Sequence, residues 1–157
     1  MNYQRTKLGS FMYNFTIKCG VFLCRHKWLY YILNLTWGVF LTLIGFILSL
    51  IMLISIHKPT KYHGTFYFIT RAKNWGGLEM GMIFLVSRNN QEHTVMHELG
   101  HTYQNAILGP FMLFSVSIPS AIRYWYRKFK KTTKDYDCIW FEGGASDLGK
   151  WVVNFEN

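Results

Sequence analysis

The stretch EHTVMHELGHTYQN, residues 92–105, carries three of the chain's six histidines, and two of them, His97 and His101, enclose Glu98. On a helix, residues four apart stand on one face, a single turn from each other. Both imidazoles can therefore point at one metal ion, with Glu98 beside the open coordination position. Each part has a chemical use. Neutral imidazoles bind Zn²⁺ firmly, and the metal lowers the pKa of a bound water toward neutrality. A carboxylate beside that water can take its proton during attack on a carbonyl and pass it to a leaving amine. His93, one turn upstream on the same side, reads as a surface residue or a support rather than a ligand.

These side chains need a rigid helix and something to pack it on. SRNNQE offers a helix start, with Asn89 as N-cap and Glu92 three residues on in a capping-box-like arrangement. Gly109-Pro110 ends the helix after Leu108, and Val95, Leu99, Tyr103 and Ala106 form its apolar stripe. Two β-branched and aromatic runs precede it, TFYFIT (65–70) and LEMGMIFLV (78–86), with NWGG between them. They predict an antiparallel strand pair, and the second offers an edge to which an extended peptide can add. The closing segment, DYDCIWFEGGASDLGKWVVNFEN, reads as a final helix containing Glu142.

HELGH following a strand pair resembles the zincin superfamily of metallopeptidases. With an apolar run just upstream, the chain is most similar to membrane-bound gluzincins, over roughly residues 65–150. That resemblance implies a zincin-like domain, a peptidase activity, Zn²⁺ as cofactor, Glu98 as general base and a downstream glutamate as third ligand beside His97 and His101. The residues narrow the choice independently. Position 107 is Ile107, where metzincins would place a histidine, and no histidine follows His101. Asp135, Asp137, Cys138, Glu142, Asp147 and Glu156 remain open. Among them, EGGASD resembles the gluzincin pattern of a glutamate, a small residue three positions on, and an aspartate. Carried over, Glu142 is the third ligand, Ala145 the small packing residue and Asp147 a support for a ligand histidine. The family's aspartate falls four positions after its glutamate, where this chain has Ser146. Asp147 is one position further, about 100° around a helix. Tyr103, Tyr124 and Tyr136 are all open as the oxyanion donor.

The rest of the chain concerns surroundings. Residues 28–56, WLYYILNLTWGVFLTLIGFILSLIMLISI, contain no charged side chain. As one helix the run would be roughly 40 Å long, against about 30 Å for a bilayer's hydrocarbon core. It predicts a single-pass transmembrane anchor over 28–57, after a basic, aromatic interfacial segment (1–27) and before the catalytic domain (58–157). The uncharged stretch 107–122 holds two prolines and is short for a span. A site shared by His101 and Glu142 requires it to dip in and return, or to pack as a kinked apolar helix. The formal charge is +9, from 17 basic and 8 acidic residues. The cluster RYWYRKFKKTTK, from Arg123 to Lys134, reads as a contact to anionic lipid headgroups, and no nucleic-acid-binding motif accompanies it. Near the ends of the run, three Lys and Arg precede it and four follow, and the additional cluster at 123–134 tips the catalytic part toward the cytoplasmic side. The three cysteines, Cys19, Cys24 and Cys138, form no Cys-x-x-Cys pair and suggest neither a disulfide framework nor a zinc knuckle.

The expectation is an α+β, mainly helical protein: one transmembrane helix plus a small domain with a short antiparallel sheet and the histidine helix. Its expected activity is that of a membrane-anchored zinc metallopeptidase acting on a protein or peptide near the bilayer. Two rivals remain. One is a non-catalytic membrane protein that binds lipid or a protein partner, with zinc structural or absent. The other is a zinc hydrolase of a non-peptide bond.

Overall fold

The computed structural model describes residues 6–55, 57–73, 75–89, 92–130 and 136–156. It is mainly helical with one small sheet, an α+β arrangement. Helix α1 (Lys7–Arg25) opens at Thr6, whose Oγ1 accepts the Gly9 N–H at 3.0 Å. It is no loose lead-in: Gly20 packs against Leu148, and Leu23 and Cys24 enter the core.

The uncharged run is not one helix. It forms α2 (Lys27–Leu35) and α3 (Val39–Ile54), bent 86° apart, and no single helix among the described residues is long and apolar enough to cross a membrane. The expected straight span is thereby corrected. The break has a polar cause. Buried Asn105, from a later helix, donates to Asn34 Oδ1 at 2.7 Å and to the Gly38 carbonyl at 3.1 Å. A Cβ at Gly38 would collide with the Asn105 side chain, so only glycine permits this clasp. Buried amide donors require partners, and the Asn105 side-chain N–H groups find theirs where the chain turns.

The sheet has four strands, β1 (Pro59–Tyr62), β2 (Thr65–Ile69), β3 (Gly77–Met80) and β4 (Ile83–Val86), in the order β1-β2-β4-β3. It is mixed, and this too is a correction. The run 78–86 is not one strand but a hairpin, with Met80 opposite Ile83. Gly81 turns it at φ 71°, a conformation glycine adopts without steric cost. The returning arm, β4, pairs with β2 in parallel, while β1–β2 and β3–β4 are the antiparallel pairs. Splitting the run leaves β3 as an edge strand.

Helix α4 (Glu92–Leu108) lies against the sheet with Val95, Leu99, Tyr103 and Ala106 all in the core, as their spacing predicts. It begins at Glu92, so its cap position lies outside the described residues, and Asn89 belongs to the turn before it. It stops where Gly109 enters a left-handed conformation at φ 56°. The stretch 107–122 then kinks: a 3-10 turn (Gly109–Phe111) and a π-helical segment (Leu113–Ser117) lead into α5 (Ile118–Lys130), which turns back at 116°. Met112 and Val116 pack on Leu41 of α3. A 3-10 turn (Tyr136–Cys138) precedes the last helix, α6 (Trp140–Glu156), which lies along α4 and α1.

Candidate metal centre

Helices α4 and α6 approach closely because the residues at their crossing are small. A Cβ on Gly100, or on Gly149, would run into a backbone carbonyl of the other helix, of Ala145 and Met96 respectively. This contact brings the first turn of α6 over the histidine face of α4. Ala145 thus occupies the packing position expected of it.

Three ligand-type side chains converge there. His97 Nε2 lies 3.1 Å from Glu142 Oε2, His101 Nε2 lies 3.4 Å from the same oxygen, and the two Nε2 atoms are 3.1 Å apart. All three residues are buried, Glu142 completely. Among the described residues this is the one group of histidine, cysteine or acidic side chains arranged to hold a metal ion. The other acidic and thiol candidates for the third position do not join it. Asp137 faces His93 at 4.0 Å, Cys138 accepts from Arg123, and Glu156 pairs with Lys27 on another face. Asp135 lies outside the described residues.

Each imidazole is held by its other nitrogen. His101 Nδ1 is 2.8 Å from Gln104 Oε1, and Gln104 Nε2 donates to the Phe141 carbonyl at 2.9 Å. The amide's orientation is thereby fixed, so His101 donates from Nδ1 and, when neutral, presents a bare lone pair at Nε2. His97 Nδ1 lies 2.8 Å from Ser146 Oγ. Asp147 is not brought to the cluster: its carboxylate accepts from the Tyr13 hydroxyl at 2.7 Å, on the α1 side. The helical offset that separates Ser146 from Asp147 explains the exchange, and Ser146 holds the position beside His97. Gln104 escaped the sequence reading, although its spacing of three from His101 on one helix was a usable signal.

The electrostatics ask for a cation. Among the described residues the polar neighbours of the buried Glu142 carboxylate are the two Nε2 atoms, 3.1 and 3.4 Å from Oε2, and neither makes a well-aligned hydrogen bond to it. Burial alone would raise the pKa of Glu142, but the imidazoles of His101 and His97 beside it outweigh burial and hold it well below the usual range. Burial would lower that of His101, yet Glu142, Glu98 and Glu79 push it up to about 9. Two Nε2 atoms and a carboxylate facing each other in a dry niche are stable only around a positive charge, a proton or a metal ion.

Glu98 sits beside this group. Burial raises its carboxyl pKa, the two imidazoles oppose that, and the Glu79 backbone N–H donates to it from β3. Gly77 packs directly against its carboxylate. Glu79, also buried, is pushed up to about 8 chiefly by burial, and its side chain accepts from the Gly81 N–H. The niche opens into a cavity of about 800 Å³ between β3, α4 and α5. Tyr124 and Tyr136 line it. The Tyr136 ring lies 6.0 Å from that of His97, and its hydroxyl meets Ser120 Oγ at 3.1 Å. Burial and the Glu142 charge raise the Tyr136 pKa, which keeps the phenol an O–H donor. Tyr103 is elsewhere: fully buried, its ring packs tilted against that of Tyr30 and its hydroxyl accepts from Lys27 Nζ. His93, half-exposed, also lines the cavity.

No known family model, curated protein or solved structure matches this chain.

Proposed function

We propose that the protein is a small membrane-associated zinc metallopeptidase of the gluzincin kind, in which His97, His101 and Glu142 hold Zn²⁺. One observation carries this reading. The three donor atoms stand 3.1–3.4 Å apart, and ligands about 2.0–2.1 Å from a tetrahedral zinc are separated by about 3.3 Å. The donor set fits, and His97, His101 and Glu98 all line the cavity, where a metal would be open to substrate.

When bound, zinc would supply Lewis acidity and a water acidified toward neutrality. The protein's own groups supply the rest. Glu98 takes the proton of the attacking water, and the Glu79 N–H keeps its carboxylate in place. That proton goes to the amide nitrogen as the C–N bond breaks, leaving a carboxylate and an amine. Tyr136, whose phenol lines the cavity, would supply the O–H donor for the oxygen on which negative charge develops. Edge strand β3 offers backbone groups for an extended peptide to pair with.

The bilayer enters through α3, which exposes Phe40, Leu43, Ile47, Leu50 and Ile51 and buries only Leu41, Thr42 and Gly45. At 16 residues it is about 24 Å long, and together with α2 it forms a bent pair with the length and composition to enter lipid. Its basic surroundings favour the negative cytoplasmic leaflet.

The test is Glu98→Gln. The wild type should carry about one zinc per chain and hydrolyse peptides. The variant should keep the zinc and lose hydrolysis by about 10²–10⁴-fold. A wild type without zinc, or a variant with undiminished turnover, refutes the proposal.

A further inference from the structure

One wall of the cavity is a single helix thick. Its inner side consists of Val116, Ser117, Ser120, Ala121 and Tyr124, from the π-helical segment and α5. Its outer side presents Phe114, Ile118, Ile122 and Phe129, with Phe114 71 % and Ile122 64 % exposed. No residue of α5 is buried. Water would be a poor neighbour for that outer side, since contiguous exposed apolar surface marks a lipid or protein contact.

Charge indicates which. Helix α5 carries no acidic residue, and Arg127, Lys128 and Lys130 crowd its last turn. Trp125 lines the cavity yet is 51 % exposed, and Lys128 Nζ lies 5.1 Å from its ring. An aromatic residue and lysines above an apolar band are the arrangement found at the headgroup level of an anionic bilayer. Trp125, Trp75 and Leu78 line the cavity together, so this part of its wall then sits at that level.

We infer that the substrate reaches the site from the lipid side: it is a polypeptide whose scissile bond lies next to a bilayer-embedded apolar segment. This rests on the peptidase reading and adds to it a substrate class. The anchored segment emerges past α5, its first residues outside lipid pair along β3, and its apolar side chains enter the cavity.

Three peptides with one common cleavable sequence test this. In the first, an apolar segment of about 20 residues follows that sequence directly. The second has the same segment behind a flexible spacer of about 30 residues, long enough to float the sequence clear of the surface. The third has no anchor. Zinc-loaded protein in vesicles of anionic phospholipid should cleave the first about tenfold faster than the second, the ratio one additional buried apolar side chain confers. Ile122→Glu, outside the cavity, should erase that preference while leaving cleavage of the third unchanged. Equal rates for the first two peptides overturn the inference, because co-localisation alone would then explain any gain. So does a dimer that Ile122→Glu dissociates without altering the preference, which would assign the outer face to a second copy. Cleavage of none of the three by zinc-loaded protein overturns the peptidase reading itself.

Discussion

Gln104 occupies a position from which one amide governs two ligands. It accepts from His101 Nδ1 and donates to the carbonyl of Phe141, the residue before Glu142. Such partners fix the tautomer and the ring plane of a ligand histidine. The same residues set a proton balance. Without metal, His101 stays protonated up to about pH 9, because its acidic neighbours outweigh burial. Metal requires the bare Nε2, so binding must expel that proton. We predict release of about one proton from this site on loading at pH 7, fading as pH rises through about 9, with apparent affinity climbing over the same window. Calorimetric titration in buffers of different ionisation enthalpy measures it; release as large at about pH 10 as at pH 7 would contradict the assignment.

Among the elements, the crossing of α4 and α6 matters most, because His97 and His101 ride on one helix and Glu142 on the other. Gly149 is in contact with the Met96 carbonyl, so a methyl group there forces the helices apart. Overpacking of this kind costs about 1–3 kcal/mol. Gly149→Ala should lower the Tm and weaken zinc binding together, whereas Gly76→Ala, with open space around it, should leave zinc binding unchanged. Equal zinc affinity in Gly149→Ala and wild type would show that the crossing does not set the site. The hairpin at Gly81 contributes in the same way. By folding the run 78–86 back on itself, it makes β3 an edge and places the Glu79 N–H against Glu98.

At the scale of the molecule, apolar surface and positive charge act together. The protein should float with anionic phospholipid vesicles. Raising ionic strength from about 0.1 to about 1 M shortens the Debye length from about 10 to about 3 Å, and should loosen this binding without abolishing it. Complete release at high salt would mean that α3 does not enter lipid.

The local parts of the site were legible from the residues in order. A spacing of four put His97 and His101 on one face, an apolar stripe oriented α4, and Gly109-Pro110 ended it. These features depend on neighbours within one helical turn, so a linear pattern is sufficient to specify them. EGGASD already pointed to Glu142, and the one-residue offset of Asp147 was legible as a turn of about 100°. The crossing that carries Glu142 to the histidines, the bend at Gly38 and the parallel pairing of β4 with β2 were decided only in three dimensions. Each depends on a contact between distant segments: a helix crossing close enough to exclude a methyl group, a buried asparagine pair needing partners, a glycine turn meeting a helix. Hydrophobicity along the chain records how much surface must leave water, and not which segment will cover it.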